Sequence, residues 1–225
     1  NQNVLAHVCQ ASRKDLRNAV EAAIKAQSGW TARTAYNRGQ ILYRMAEMLQ
    51  GKQEEFVNAI FQSVDNCTQE KADTEVITAI DRLVAYAGWA DKYQHVLGCN
   101  NPVAGPFYNF TVPESTGVVG VVTPDEKPLL GLISLIAPAI CAGNTVVALG
   151  SEKYPLPTAI FGEVCATSDV PGGVINLLTG LRGELVEHFA SHRDINAIHS
   201  ANISKEQSLT LKQGSSENIK RVVVH

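Results

Sequence analysis

Short runs of apolar residues alternate with longer ones through the second half of the chain. Residues 117–124 and 145–149 are rich in valine and almost free of polar side chains, which is typical of strands buried on both faces of a sheet. Residues 128–142 lie between them, are too long and too apolar for a surface segment, and end at Gly143 as a helix commonly does. Two buried strands joined by a helix pair in parallel through a right-handed crossover. The pattern therefore predicts a βαβ unit.

This alternation of strand and helix continues to the last residues of the sequence. Further helices are predicted at residues 156–166, 184–191 and 203–211, and further strands at residues 173–178, 195–199 and 221–225. Because a helix separates each strand from the next, the strands are expected to be parallel and covered by helices on both faces. Residues 116–225 are thus predicted to form a Rossmann-like α/β core with a parallel sheet and flanking helices.

The first hundred residues show the period of amphipathic helices instead. After a short strand at residues 3–7, helices are predicted at residues 12–29, 31–49, 54–63 and 68–97. Ser12 and Asp15 have the spacing of a capping pair at the start of the first helix. We therefore expect residues 1–100 to form a helical lead-in to the sheet.

A short apolar segment separates the helical lead-in from the core. Residues 107–112 alternate as a strand between Pro106 and Pro113, and residues 100–106 predict a loop from their prolines and glycine. Large side chains on both faces of this strand are more apolar than an exposed edge tolerates. We expect residues 107–113 to form an edge-strand arm that pairs with a second copy in a dimer. The alternative is that the strand packs on its own domain.

Composition restricts the class of protein. The 225 residues, 45% of them hydrophobic, suffice for a single domain covering residues 1–225. A formal charge of −3 without a basic cluster excludes a nucleic-acid footprint, and the longest apolar run contains Pro138 and is too short for a membrane span. The five cysteines are scattered and odd in number, which favours reduced thiols and a cytoplasmic protein.

Few side chains have the spacing of a catalytic or metal site. His188 and His192 are four residues apart on a predicted helix, but no third ligand lies nearby in the sequence, so no metal site is expected. Cys141 and Cys165 lie in predicted helices, where cysteine is ordinarily a small apolar residue. The sequence contains neither a Walker phosphate loop nor a Gly-x-Gly-x-x-Gly motif.

Four motifs in the core resemble, in this order and spacing, the cofactor-binding half of the aldehyde dehydrogenase superfamily. They are residues 117–124, 137–147, 151–152 and 171–180. The similarity extends over residues 4–224 and is greatest to the degenerate second module of the two-module family 16 type. The resemblance implies an NAD-binding-type domain truncated before the catalytic domain, with the general-base glutamate and the nucleophilic cysteine expected beyond residue 225.

The resemblance places Glu126 where family members have the asparagine that binds the oxyanion formed by thiolate attack on the aldehyde. An ionised carboxylate has no hydrogen to donate, and losing one oxyanion donor costs roughly 10² to 10³ in rate. We therefore expect no catalytic residue in this chain. The alternative interpretation is that Asp125, Glu126 and Lys127 form only a solvated turn.

The resemblance also leaves an incomplete set of cofactor-binding positions. Leu149 replaces the lysine that holds the adenosine ribose, and Arg182 replaces a glycine that lets the backbone approach the cofactor. Asn202 and Ile203 match the Gly-Ser pair that begins the pyrophosphate-binding helix. The positions that remain are Thr123, Pro124, Ser151, Glu152 and Gly180. NAD is the implied cofactor, and its binding is expected to be weak or absent.

Three functions are compatible with these residues. Glu126, Leu149 and Arg182 favour a catalytically deficient aldehyde-dehydrogenase-like domain that serves assembly or protein interaction. The second hypothesis is a fragment of an active NAD-dependent aldehyde dehydrogenase, and the third is a nucleotide-binding regulatory module. Other interpretations of three positions also stay open: Ser151 and Glu152 would serve equally as helix caps, and Arg182 would either meet a phosphate itself or be a solvated loop residue.

Overall fold

One parallel sheet lies between two layers of helices. The computed structural model describes residues 4–225. Its helices are α1 (Arg13–Thr31), α2 (Ala35–Gly51), α3 (Gln53–Ser63), α4 (Gln69–Trp89), α5 (Tyr93–Leu97), α6 (Pro128–Cys141), α7 (Leu156–Thr167), α8 (Arg182–Ser191) and α9 (Lys205–Ser216). Its strands are β1 (Cys99–Asn101), β2 (Asn109–Thr111), β3 (Val118–Val122), β4 (Thr145–Leu149), β5 (Ile175–Leu178), β6 (Ala197–Ser200) and β7 (Arg221–Val224).

The main sheet has five strands in the order β5-β4-β3-β6-β7, and every neighbouring pair is parallel. The central strands β3 and β4 are buried along their whole length, which explains their continuous apolar runs. Helices connect successive strands of the sheet as the sequence pattern requires. The predicted α/β fold with a parallel sheet and flanking helices is confirmed.

The two faces of the sheet pack against different helices. Val118 and Val122 of β3 point to one side, where they meet α1, α9 and, through Phe189, α8. Val119 and Val121 point to the other side, into a larger core that includes α6, α7 and the helices α2 to α4. This division follows from the alternation of side chains along a strand. The helices of the lead-in therefore form part of the apolar core on both faces of the sheet.

A buried carboxylate from the helical lead-in caps the first turn of α6. Glu75 of α4 is 7% exposed, and its Oε1 accepts the N–H groups of Leu129 at 2.9 Å and Leu130 at 3.2 Å. Burial raises the pKa of Glu75, and the two N–H groups only partly oppose this effect. A negative group at the start of a helix is favourable, because the first N–H groups have no partner within the helix.

The other end of α6 is held by two more side chains of the lead-in. Nε of Arg38 donates to the carbonyl of Cys141 at 3.1 Å, and the indole N–H of Trp30 donates to the carbonyl of Ile140 at 3.0 Å. Both donors are buried, so these carbonyls are satisfied without water. Helix α6 is thus an interior helix fixed at both ends.

Among residues 4–225, no helix combines the length and the apolar character needed to cross a bilayer.

The helix predicted at residues 68–97 is wrong in its last part. It breaks at residues 90–92 into α4 and α5, and Nζ of Lys92 donates to the carbonyl of Gly88 at 2.5 Å. This bond satisfies a carbonyl near the end of α4, which has no partner within the helix. Apolar residues continue on both sides of the break, so the hydrophobic period does not reveal it.

The predicted arm is a hairpin rather than a single strand. Part of the segment predicted as a loop forms β1, which pairs antiparallel with β2. Nδ2 of Asn101 on β1 donates to Oδ1 of Asn109 on β2 at 3.1 Å. The composition of such polar residues predicts a turn. They form a strand here because β2 pairs with them. The hairpin is separate from the five-stranded sheet.

The strand predicted at residues 3–7 is also wrong where it can be compared. Residues 4–7 have no regular structure, and Asn3 lies outside the described residues. Val4 is 73% exposed, and none of the described strands pairs with this segment to make it a strand. The chain reaches the end of β5 at Cys9 and Ala11: the hydroxyl of Thr179 donates to the carbonyl of Cys9 at 2.5 Å, and the N–H of Ala11 donates to the carbonyl of Thr179 at 2.7 Å.

Removal of the α6 cap tests how strongly the lead-in is tied to the core. We expect Glu75→Ala to lower the free energy of unfolding by about 2 kcal/mol, since it leaves two buried N–H groups without an acceptor. Glu75→Gln should cost less than half of this, because its amide oxygen still accepts. Urea denaturation followed by circular dichroism measures both. The exposed Glu70→Ala on the same helix is the control, and equal effects of Glu70→Ala and Glu75→Ala would contradict the prediction.

Candidate functional site

Most of the polar residues predicted to bind a cofactor gather at one edge of the sheet, where the parallel strands end. Thr123 and Asp125 follow β3, Ser151 and Glu152 follow β4, and Arg182 begins α8 after the short loop that follows β5. In open parallel sheets, ligands bind outside the carboxyl ends of the strands. This edge is therefore the candidate site.

Arg182 fills the middle of this edge with an ion pair. Its Nη1 lies 2.7 Å from Oδ2 of Asp125 and its Nη2 lies 2.8 Å from Oδ1, and Nη2 also donates to the carbonyl of Thr123 at 2.6 Å. Arg182 is only 6% exposed, so its interpretation as a solvated loop residue is wrong. A guanidinium carries several donors in one plane, and the turn after β3 offers three oxygen atoms that match them.

Asp125 connects this ion pair to the end of β4. Its Oδ1 also accepts the hydroxyl of Ser151 at 2.7 Å and the N–H of Lys153 at 3.2 Å. Burial raises the pKa of Asp125, but the hydrogen bonds from Arg182 and Ser151 and the charge of Arg182 outweigh it, so the pKa lies below its ordinary value. The carboxylate is therefore ionised at neutral pH, with both oxygens engaged.

The helix N-termini at this edge already have acceptors from the chain itself. Oε2 of Glu152 accepts the N–H of Arg182, the first residue of α8, at 2.8 Å. At the start of α9, Oγ of Ser204 accepts the N–H of Gln207 at 3.1 Å, and Ile203 packs against the core. Free N–H groups at a helix start are what a phosphate binds. Here a carboxylate and a hydroxyl take that place.

Glu126, at the predicted oxyanion position, is exposed, as is Lys127. Its Oε2 lies 3.5 Å from Nδ2 of Asn202, which is at the limit of a hydrogen bond. An ionised carboxylate there would repel an oxyanion instead of stabilising it. The side chain of Asp125 is 24% exposed and is bound to Arg182 and Ser151, so the interpretation as a merely solvated turn is wrong for the first of the three positions.

The other predicted cofactor positions contact the protein interior. The N–H and the hydroxyl of Thr123 both donate to the carbonyl of Leu149, at 3.1 and 3.0 Å, which joins the ends of β3 and β4. The side chain of Leu149 is fully buried in the core beside α1 and α8. Pro124 is buried in the turn, and a Cβ on Gly180 would lie 3.2 Å from the nitrogen of Ala11. These residues are integral to the packing of the edge.

The sequence interpretation does not identify Asp125 or Glu75 as partners of buried groups. A signal for Asp125 is present in the sequence, because it and Arg182 carry opposite charges and both follow strands of one predicted parallel sheet. The carboxyl ends of such strands meet at one edge, where the charges can pair. No comparable signal exists for Glu75, whose partners are main-chain groups 54 and 55 positions away.

The thiols of Cys141 and Cys165, which lie buried or half-buried in the core, are not activated. Burial raises the pKa of Cys141 to about 11 and that of Cys165 to about 12, so neither is a thiolate at neutral pH. Within residues 4–225, no group of three or more histidine, cysteine, aspartate or glutamate side chains is arranged to hold a metal ion.

Comparison with known proteins gives the family. The model of the aldehyde dehydrogenase family matches residues 1–225, the whole chain. The chain belongs to the aldehyde dehydrogenase family. Omega-crystallin of Enteroctopus dofleini is 30% identical over 217 residues, which are 95% of this chain and 43% of that protein. Aldehyde dehydrogenase 1A1 of Gallus gallus is 30% identical over an alignment of 229 positions that covers 100% of this chain and 44% of that protein.

A solved structure shows the same architecture. The NAD⁺ complex of an aldehyde dehydrogenase from Bacillus cereus superposes with a TM-score of 0.91 at 27% identity, over 99% of this chain and 45% of that one. This aldehyde dehydrogenase chain thus spans less than half the length of the relatives it matches. The carboxyl edge of its sheet can be compared with the family's cofactor site. At this edge Arg182 binds both Asp125 and Glu152.

The ion pair at this edge should be coupled rather than additive. We expect Asp125→Ala to lower the free energy of unfolding by about 3 kcal/mol, because it leaves the Arg182 guanidinium buried without a counter-charge. Arg182→Met in the same chain should recover at least half of that loss. Chemical denaturation of the two single variants and the double variant measures the coupling. Glu21→Ala, which breaks an exposed pair with Arg17, is the control and should cost less than about 1 kcal/mol.

The same measurements made against pH add a second criterion. Because the pKa of folded Asp125 is lowered, its contribution to stability is present at neutral pH and is lost as the pH falls through that value. Asp125→Ala should therefore show less acid destabilisation than the unmodified chain. Strictly additive single variants together with an unchanged pH dependence would show that the pair contributes nothing.

Proposed function

We propose that this chain is a catalytically deficient aldehyde-dehydrogenase-like domain whose role is assembly or protein interaction. The observation that carries the proposal is the buried ion pair of Arg182 and Asp125, which occupies the middle of the carboxyl edge of the sheet. Glu152 and Ser204 each accept one main-chain N–H group at the start of a helix on the same edge. A nucleotide has to displace these groups before it can bind.

The energetic cost of that displacement favours weak or absent NAD binding. Leaving one partner of a buried ion pair without its counter-charge costs on the order of 3 to 5 kcal/mol, which corresponds to a loss of roughly 10² or more in affinity. Leu149 adds to this cost, because its buried side chain supplies no cation for the ribose. Glu152 remains as a carboxylate near the site, but it is already bound to the N–H of Arg182.

The residues of this chain do not favour the oxidation of an aldehyde either. Exposed Glu126 stands at the oxyanion position, and its carboxylate offers no hydrogen to donate. The described cysteines at the core, Cys141 and Cys165, are neutral thiols at physiological pH.

We further propose that the departures from the family pattern at Glu126, Leu149 and Arg182 make the chain most similar to the degenerate second module of the two-module family 16 type.

One alternative has an observation in its favour. The chain covers less than half of its relatives, and one of them is solved as an NAD⁺ complex, so a fragment of an active NAD-dependent aldehyde dehydrogenase is the second candidate. In that case Arg182 would have to turn away from Asp125 when the cofactor enters. A regulatory nucleotide-binding module would need the same movement.

Titration calorimetry with NAD separates these candidates. We expect the unmodified chain to bind NAD with a dissociation constant of about 1 mM or weaker, and Asp125→Ala/Arg182→Gly to bind at least about 10-fold more tightly, because the double variant clears the edge. Arg17→Ala/Glu21→Ala removes an exposed pair and should change nothing.

Absorbance of NADH with a panel of aliphatic and aromatic aldehydes should show no turnover in any variant. A dissociation constant near 10 µM for the unmodified chain would favour the regulatory module. Turnover above that of a heat-denatured sample would overturn the proposed catalytic deficiency.

The hairpin of β1 and β2 supports a role in assembly. Phe107, Tyr108 and Phe110 are 75%, 74% and 59% exposed, and Val112 beside them is 53% exposed. Within the described residues the hairpin pairs with no strand other than its own, so both outer edges offer free main-chain groups. In the family, as the resemblance implies, a strand arm near this point joins a sheet of the partner subunit. We therefore propose a homodimer formed partly through this hairpin.

A charge on the hairpin tests this dimer. We expect the unmodified chain to sediment as a dimer at micromolar concentration and Phe110→Asp to shift it toward monomer, because the aspartate would have to be buried against the partner. Sedimentation velocity gives the distribution of species. Leu209→Asp, at a 55% exposed position of α9, is the matched control. A single monomer peak that Phe110→Asp leaves unchanged would exclude the hairpin as an interface.

A further inference from the structure

Two histidines that are 26 positions apart in the sequence meet at the edge of the sheet beyond β6 and β7. Nε2 of His199 lies 3.0 Å from Nε2 of His225, and the two ring centres are 5.1 Å apart. His199 is on β6, and His225 directly follows β7. Neither residue belongs to the network of Asp125 and Arg182, so the proposed function makes no use of them.

The tautomer of His199 follows from its other contact. Nδ1 of His199 lies 3.0 Å from the carbonyl oxygen of Leu135 on α6. A carbonyl oxygen only accepts, so Nδ1 carries the hydrogen and Nε2 of the neutral ring has its lone pair free. His225 then donates from its own Nε2. An imidazole whose second nitrogen is held by a main-chain carbonyl is the usual arrangement of a metal-binding histidine.

Main-chain hydrogen bonds fix the backbone of His225 beside the end of β6. The N–H of His225 donates to the carbonyl of Ser200 at 2.9 Å, and the N–H of Asn202 donates to the carbonyl of His225 at 3.0 Å. Burial lowers the pKa of His199, so its ring is neutral at physiological pH and available as a ligand. His225 is exposed, which leaves its ring room to turn and leaves solvent access to the site.

We propose that His199 and His225 form a two-histidine site for a late first-row divalent metal ion, of which Cu²⁺ and Ni²⁺ fit best. With metal–nitrogen bonds of about 2.0 to 2.1 Å, two nitrogens 3.0 Å apart subtend roughly 90° to 97° at the metal. That is the angle between neighbouring ligands in square-planar or octahedral coordination, which Cu²⁺ and Ni²⁺ adopt, and is smaller than a tetrahedral angle. For the metal to bind, the hydrogen of His225 has to move from Nε2 to Nδ1 through solvent and the exposed ring has to turn, so that both Nε2 lone pairs face the metal; water completes the coordination.

The sequence alone does not predict this site. The expectation of no metal site considers His188 and His192, which are close in the sequence, and the spacing of His199 and His225 has no recognised ligand pattern. The parallel pairing of β6 with β7 brings them together. In the structure His192 is 4.0 Å from a carboxylate oxygen of Asp194, so it has a partner of its own.

Calorimetry and copper spectroscopy on the intact chain test the proposal. We expect each chain to bind one ion, whether the metal added is Cu²⁺ or Ni²⁺. Binding should be at least about 10-fold weaker in His199→Ala and in His225→Ala, since each variant removes one of two ligands. Cu²⁺ should selectively broaden the ring-proton NMR signals of these two histidines. His188→Ala is the matched control, and Mg²⁺, which prefers oxygen ligands, should not bind.

Each outcome is decisive. Loss of tight binding in both variants, with circular dichroism unchanged and His188→Ala unaffected, supports the site. His225→Ala alone suffices if His199→Ala is destabilised, because His225 is exposed and its removal leaves the contact with Leu135 intact. Binding that is unchanged by His225→Ala, or lost in His188→Ala instead, overturns the proposal.

Discussion

The need to satisfy both ends of the buried helix α6 organises the larger half of this structure. Its first N–H groups and last carbonyls lie where water does not reach, and such groups are costly when they have no partner. Glu75 supplies the acceptor at one end, and Arg38 and Trp30 supply donors at the other. All three belong to helices that precede the sheet in the chain. The lead-in is therefore tied to the core by specific hydrogen bonds as well as by apolar contact.

The same rule governs the carboxyl edge of the sheet, with a different result. Parallel strands and the helices after them leave N–H and carbonyl groups at this edge, which many α/β proteins complete with a ligand. Here Arg182, Asp125 and Glu152 complete them with protein groups. The family's architecture is thus retained while the polar groups of its cofactor edge are directed inward. Whether a nucleotide binds becomes a competition between two sets of hydrogen bonds.

The sequence predicts most of the fold, because periods of apolar residues directly report burial. The runs in β3 and β4 and the period of α1 lead to the right elements, and the capping pair of Ser12 and Asp15 is present. The break after α4 and the strand β1 escape prediction, because the first leaves the apolar period intact and the second depends on a partner strand. Local patterns do not contain either kind of information.

The candidate site is predicted less well for a related reason. The sequence predicts oxyanion or cofactor positions for Glu126, Glu152 and Arg182 but does not give the direction in which each side chain points. Arg182 looks like a loop residue until the turn carrying Asp125 is placed beside it, 57 positions away in the sequence. The meeting of His199 with His225 likewise depends on the order of strands in the sheet.

The pairing of Arg182 with Asp125 also limits how this protein can evolve. A lineage that lost the arginine first would carry a carboxylate without its counter-charge, and one that lost the aspartate first would carry a buried guanidinium without its partner. Either intermediate is less stable than the start or the end of the path. The two positions are therefore expected to change together or not at all, because each single change passes through a less stable protein.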